Sequence, residues 1–172
     1  VEADDIIAFL SPKLAGNDDK VYIVSSDKDY LQLINENITV YRPIEREFYT
    51  EQIVKEKFNL LPHNFILYKL LMGDNSDKIS GIKGLGHKKL IKLFPELQHE
   101  KLELEDILNI SEAKLTENII YARILHDIKL LEDKYRIMDL SKPMITEDDE
   151  EILMNLINSP TPKFNPNNFL KL

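Results

Sequence analysis

Val21-Tyr22-Ile23-Val24-Ser25-Ser26-Asp27-Lys28-Asp29-Tyr30-Leu31-Gln32-Leu33-Ile34-Asn35-Glu36-Asn37-Ile38-Thr39-Val40-Tyr41 reads as strand, acidic turn, short helix and strand. Val21 to Val24 is a β-rich run bounded by polar residues, which suits a buried parallel strand. Asp27 to Ile34 carries a short helix, and Ile38 to Tyr41 a second strand stopped by Pro43. This order implies a right-handed parallel crossover. Two parallel strands alone leave apolar surface and two open edges, so further strands are expected. In open α/β sheets the ligand site lies beyond the carboxyl ends of the strands, which is where Asp27 and Asp29 stand.

On the N-terminal side, Ile6, Ile7, Leu10 and Leu14 recur at helical spacing behind Glu2, Asp4 and Asp5, and Pro12 is expected to kink or end that helix early. On the C-terminal side, Thr50 caps a helix over Glu51 to Phe58, and Pro62 opens another that runs to Met72 and stops at Gly73. Gly81 to Gly86 is a tight hairpin, and His87 to Phe94 a short helix closed by Pro95. Apolar spacing over Glu112 to Asp139 predicts one long or broken helix. The acidic run Glu147 to Glu151 caps a last helix through Ile157, and the Pro- and Asn-rich tail from Ser159 is expected to be extended and mobile. The fold class is thus α/β and mostly helical, divided at about 1–72, 73–95 and 96–172.

The 172 residues contain no cysteine, which excludes disulfides and thiolate metal sites. At 43% apolar and 30% charged, the composition is that of a foldable domain. No apolar run approaches the ~18 residues of a membrane span, because Lys69 already interrupts the most apolar stretch, Phe65 to Met72. The chain starts at Val1 with an acidic cluster and without signal-peptide features, and so reads as a cytoplasmic fragment. Its net charge of −8, from 22 basic and 30 acidic residues, argues against a nonspecific polyanion binder but hides local sign.

Three acidic clusters stand at the ends of predicted elements: Glu2-Ala3-Asp4-Asp5, Asp27-Lys28-Asp29 and Asp74-Asn75-Ser76-Asp77. Taken singly, acidic residues before a helix are caps and an Asp-x-Asp after a strand is a turn. Taken together, seven carboxylates converging on one cleft would repel unless divalent cations held them. Oxygen-only donors select Mg²⁺, with Mn²⁺ as substitute. Two such ions about 4 Å apart are a recurrent device for phosphodiester hydrolysis.

A fourth feature has the opposite sign. From Lys78 to Lys92 there are five lysines, His87 and no acid, around Gly81-Ile82-Lys83-Gly84-Leu85-Gly86-His87-Lys88-Lys89. Glycines let a backbone approach closely, and the next helix offers amides to a phosphate. This is a helix-hairpin-helix signature, which grips a duplex by its phosphates without reading bases.

Glu2-Ala3-Asp4-Asp5, Ser25-Ser26-Asp27-Lys28-Asp29-Tyr30-Leu31 and Leu71-Met72-Gly73-Asp74-Asn75-Ser76-Asp77-Lys78-Ile79 resemble, with the hairpin and in order and spacing, the 5′ nuclease (flap endonuclease) family. That family includes the 5′-3′ exonuclease domain of bacterial DNA polymerase I and the RNase H of T-even-like phages. The likeness covers roughly Val1 to Phe94, and Val40-Tyr41-Arg42-Pro43-Ile44 looks more like the phage branch. It implies a PIN-like parallel-sheet nuclease core, represented by its C-terminal part. It further implies structure-specific 5′-3′ exonuclease or flap endonuclease chemistry by a two-metal mechanism, in the cytoplasm, of the host if viral. Glu2 and Asp4 would serve the first metal, with Asp5 beside them. Asp27, Asp29 and Asp77 would serve the second, with Asp74 acting directly or through water. Asp4, Asp27, Asp29 and Asp77 are the implied catalytic set. Gly81, Lys83, Gly84, Gly86, His87, Lys88 and Lys89 would hold the DNA, with a K⁺ ion on hairpin carbonyls.

The implied partners are duplex or 5′-flap DNA, an RNA/DNA hybrid, and an N-terminal nuclease fragment docking on the sheet edge; no membrane is implied. Family members carry another metal-binding Asp on an initial strand and a basic helical arch, and neither precedes Val1. The expectation is therefore a chain that binds DNA and is catalytically weak alone. The competing reading is a noncatalytic helix-hairpin-helix module. A phosphatase-like Mg²⁺ enzyme for small phosphoesters is a third, against which the basic hairpin argues.

Overall fold

In the computed structural model, which describes residues 1–16, 19–74 and 79–160, Val21–Val24 (β1) and Ile38–Arg42 (β2) pair in parallel with Ile23 opposite Val40. The crossover contains a 3₁₀ turn, Asp29–Leu33, in place of the α-helix expected from Asp27 to Ile34. Its core residues Tyr30 and Leu31 are buried nonetheless. A third strand, β3 (Glu47–Tyr49), returns antiparallel on β2 through a turn in which Arg46 takes φ 54°. Three residues are too few to show a period, so this strand is not legible in the sequence.

The order β1-β2-β3 leaves β1 at an edge. Ile23, Ile38 and Val40 point into the core, while Tyr22 and Val24 are 59% and 66% exposed. β1 is therefore half-buried rather than buried on both faces. Its outer face carries an aromatic cluster, with Phe48 4.7 Å from Tyr41 and 6.0 Å from Tyr22.

Helix α1 (Ala3–Leu14) runs through Pro12 instead of ending there. The proline removes the amide that would bond Ala8 O, but only two residues follow it before the Ala15 cap, so the loss is confined to the end of the helix. Helix α2 (Glu51–Phe58) has the expected bounds. Thr50 Oγ1 accepts from Ile53 N, and Asn59 closes the helix in the left-handed region at φ 53°. Pro62–Asn64 is a 3₁₀ turn leading into α3 (Phe65–Met72), the central helix, on which Phe65, Ile66, Leu67, Leu70 and Leu71 are all buried. Asn64, fully buried, ties its start to the C-terminal half. Its amide donates to Leu97 O at 2.8 Å and Glu100 O at 2.6 Å, and its carbonyl accepts from Leu102 N at 2.9 Å.

After α3 come a two-residue ladder, β4 (Gly73–Asp74) with β5 (Ile79–Ser80), and then α4 (His87–Leu93) and a 3₁₀ turn, Pro95–Gln98. Gly73 and Gly81 permit the ladder, because a Cβ on Gly81 would lie 2.2 Å from the Met72 carbonyl carbon.

The helical C-terminal half consists of α5 (Leu104–Ala113), α6 (Ile119–His126), α7 (Ile128–Met138) and α8 (Glu147–Asn158). The spacing over Glu112 to Asp139 thus belongs to separate helices. Asn118 caps α6, and Asp127 alone separates α6 from α7. Thr146 and Asp149 form a capping box, so the acidic run opens α8 as expected. The tail beyond Pro160 lies outside the described residues. No helix among the described residues is long and apolar enough to cross a membrane.

Candidate active site

A cleft of about 720 Å³ is lined by Glu2, Asp4, Asp5 and Asp29 together with Ile79, Lys134, Ile137, Met138, Leu140 and Met144. Glu2 to Asp5 start α1 and Asp29 starts the 3₁₀ turn after β1, so two distant stretches bring four of the expected carboxylates together. Asp27 and Asp74 do not line this cleft, but each is tied to Asp29. Asp27 Oδ1 accepts from the Asp29 amide at 2.9 Å, and Asp74 shares the Lys69 ammonium with Asp29. Asp77, with Asn75, Ser76 and Lys78, lies outside the described residues. Among the described residues, no three His, Asp or Glu side chains converge closely enough to hold a metal ion.

Each carboxylate has a distinct environment. Asp4 accepts from the Tyr30 hydroxyl at 2.5 Å. Burial of Tyr30, reinforced by that bond and by Asp4's charge, pushes its pKa well above the usual phenol value, so it stays a neutral donor. Asp5 accepts from Met144 N at 2.9 Å and so anchors the segment between α7 and α8. Gln32 fastens the same segment twice, donating to Met138 O at 3.1 Å and accepting from Leu140 N at 3.0 Å. Glu2 is exposed at the N-terminus of α1, where the helix dipole favours a carboxylate.

Three supporting residues escaped the sequence reading as members of the site. Lys69, at 5% exposure, lies on the apolar helix α3 and reaches Asp29 and, at 2.9 Å, Asp74. The only sequence signal was its isolation among Phe65 to Met72. Arg42, at 6% exposure, donates to Ser26 O at 2.8 Å and so fixes the turn that presents Asp27. Tyr30 positions Asp4.

The basic hairpin stands next to this cleft in sequence and folds back on α3 through Ile82 N to Leu71 O at 2.8 Å. Ile82 to Leu85 forms a turn closed by Leu85 N to Ile82 O at 3.0 Å, with Gly84 at φ +80° as the turn requires. Ile82 and Leu85 are buried, whereas Lys83 and Lys88 are exposed. Gly86 has φ −111°, and a Cβ placed on it would meet nothing within 4 Å. The fold has no steric need for glycine at that position.

Residues 1–59 match the family model of the 5′-3′ exonuclease N-terminal resolvase-like domain. The chain is 41% identical over 124 residues to DNA polymerase I of Bacillus subtilis (strain 168), covering 69% of this chain and 14% of that one. It is 35% identical over 134 residues to the flap endonuclease Xni of Shewanella woodyi (strain ATCC 51908 / MS32), covering 76% and 53%. The fold matches a bacteriophage T5 flap endonuclease solved as a pseudo-enzyme-product complex with DNA and metal ions. The TM-score is 0.74 at 24% identity, over 91% of this chain and 58% of that one. The chain thus spans only part of each protein it resembles. Carboxylates from two distant segments on one cleft, the glycine-lysine hairpin that follows them in sequence and these likenesses together support a 5′ nuclease family for this chain, the family of 5′-3′ exonucleases and flap endonucleases.

Proposed function

We propose that this chain supplies the carboxylate wall and the duplex-holding hairpin of a metal-dependent 5′ nuclease acting on duplex or 5′-flap DNA, with an RNA/DNA hybrid as a further substrate. The observation that carries the reading is the cleft itself: Glu2, Asp4, Asp5 and Asp29 face one space, with Asp74 and Asp27 tied to Asp29. The T5 flap endonuclease complex, with its DNA and metal ions, supports the same assignment.

The donor chemistry fits hard divalent cations. Every donor is a carboxylate oxygen, which favours Mg²⁺ with Mn²⁺ as substitute, and Lys69 already places one positive charge between Asp29 and Asp74. Glu2 and Asp4, with Asp5, would hold one ion, and Asp27, Asp29 and Asp77, with Asp74, a second. Bound there, such ions would polarise the phosphoryl oxygens and lower the pKa of water.

The protein's own groups do the positioning. Tyr30 fixes the rotamer of Asp4, Arg42 fixes the turn carrying Asp27, and Lys69 keeps Asp29 and Asp74 side by side. The exposed Lys83 and Lys88, together with Lys89 and His87, would neutralise duplex phosphates. Gly81 closes the ladder, Gly84 makes the turn, and Gly86 leaves the surface clear for a sugar-phosphate backbone. An N-terminal nuclease segment, on the same polypeptide or a second one, would add strands at the open β1 edge. The site of action would be the cytoplasm, of the host if viral.

The test is cleavage of a 5′-labelled flap duplex in Mg²⁺ and in Mn²⁺ by the purified chain, with Asp77→Asn and Asp29→Asn beside it and a gel shift on the same duplex. Metal-dependent cleavage lost in both variants is the outcome expected of a sufficient site. Duplex retention without cleavage would mark a DNA-holding part that needs its N-terminal complement. Absence of both would overturn the proposal, and duplex retention indifferent to metal and to both substitutions in the complemented enzyme would favour a noncatalytic module.

A further inference from the structure

The hairpin is wrapped in cations that belong to the chain itself. Ser80 O accepts from Lys134 Nζ on α7 at 3.1 Å, and Lys83 O accepts from Arg123 Nη1 on α6 at 2.5 Å. Gly84 O receives the longer contact of Lys89 Nζ at 3.5 Å. Backbone amides take two more carbonyls: Leu85 N donates to Ile82 O at 3.0 Å, and Lys89 N and Leu90 N both donate to Gly86 O at 2.9 Å. Arg123 is also packed against the turn, since a Cβ on Gly84 would lie 2.9 Å from its Nη1.

The family resemblance implies a K⁺ ion on these carbonyls, and the residues present do not suit one. A monovalent ion would compete with donors for the same oxygens and be repelled by a guanidinium and two ammonium groups around a single short loop. We infer that this hairpin takes no K⁺, and that Arg123 holds its conformation in the ion's place. Arg123 is then a positioning residue for duplex binding, acting from a helix 40 residues away in sequence through the Lys83 carbonyl. The planar guanidinium suits the task, being charged at every relevant pH and donating along a fixed direction. The inference rests on the reading that the hairpin holds duplex; its structural half does not.

Two readouts separate the halves. In the first, the amides of Ile82 to Leu90 are followed by ¹H–¹⁵N spectra as K⁺ replaces Na⁺ at constant ionic strength, without DNA. The expected result is no saturable shift in the wild-type chain. Arg123→Met should speed hydrogen exchange at Leu85 N roughly tenfold, as loss of one charge-assisted bond would, and Arg123→Lys should recover part of the protection. In the second, affinity for a blunt duplex is measured in KCl and in NaCl at equal ionic strength. Wild type should bind equally in both, and Arg123→Met several-fold more weakly. Saturable K⁺ shifts in the wild-type hairpin would overturn the inference, as would wild-type exchange rates in a folded Arg123→Met. If Arg123→Met does not fold, the wild-type titration and Arg123→Lys decide the matter. If the wild-type chain binds no duplex in either salt, the duplex-holding reading falls, while the spectra still decide whether Arg123 replaces an ion.

Discussion

Replacing Lys69 by Met removes the charge that two carboxylates share while keeping the length of the side chain. The Lys69 side chain is 6% exposed, and those of Asp29 and Asp74 are 21% and 20% exposed. Deleting one member of a fully buried ion pair costs about 3–5 kcal/mol, because the partner's charge is left uncompensated. Two features reduce that figure here: water reaches both carboxylates, and the Met side chain recovers roughly 1 kcal/mol of apolar burial on a helix whose neighbours are apolar. A net loss of about 2–3 kcal/mol remains, which for a domain of this length lowers the melting temperature by about 5–10 °C. The assay is thermal unfolding followed by circular dichroism, in EDTA and in saturating Mg²⁺. In EDTA the full deficit is expected. In Mg²⁺ it should shrink, because a divalent ion can serve the carboxylates that lost their ammonium. A variant melting with wild type in EDTA would refute the idea that Lys69 compensates these carboxylates, and a deficit unchanged by Mg²⁺ would refute their placement at a metal site.

Three further outcomes can be measured. Asn64→Leu should cost about 3–4 kcal/mol in urea unfolding. It strands Glu100 O and Leu102 N without partners, whereas Leu97 O keeps its bond from Leu61 N; a loss below about 1 kcal/mol would contradict the staple. Gly86→Ala should leave the melting temperature unchanged and weaken duplex retention in a gel shift. Gly84→Ala, forced to φ +80° against Arg123, should destabilise by about 1–2 kcal/mol; the opposite ranking would sink the division between the two glycines. The Tyr135 hydroxyl donates to Glu103 at 2.5 Å, and burial, then that bond, raises its pKa above the ordinary phenol value of 10.0. Above pH 10.0 the unfolded phenol loses its proton before the folded one. This contribution is therefore complete below pH 10.0 and declines as the pH rises through it, and Tyr135→Phe should flatten the alkaline limb of stability against pH.

What could be read from the sequence and what could not divide along a physical line. Signals within one or two helical turns were legible: the Thr50 cap with the bounds of α2, the acidic start of α8, and the Gly-rich turn after Gly81. So were the two parallel strands, since β-branched runs and a thirteen-residue connection leave few alternatives. The acidic clusters were legible as clusters, and the cleft gathers Glu2, Asp4, Asp5 and Asp29. What each acid is bonded to was not. Asp5 meets an amide 139 positions later, Lys69 meets an acid 40 positions earlier, and Arg123 meets a carbonyl 40 positions earlier. No periodicity encodes such pairs, because one long polar side chain can find its partner wherever the fold brings an oxygen within reach. They also explain how an acidic chain accommodates these carboxylates around one cleft. Lys69 compensates two, Tyr30 donates to a third, and the Met144 amide to a fourth. A wall built only from mutually repelling acids would be costly to order; here donors from α3, the 3₁₀ turn and the segment before α8 already hold most of it, so an ion bound there as proposed would not have to bear the whole cost of ordering it.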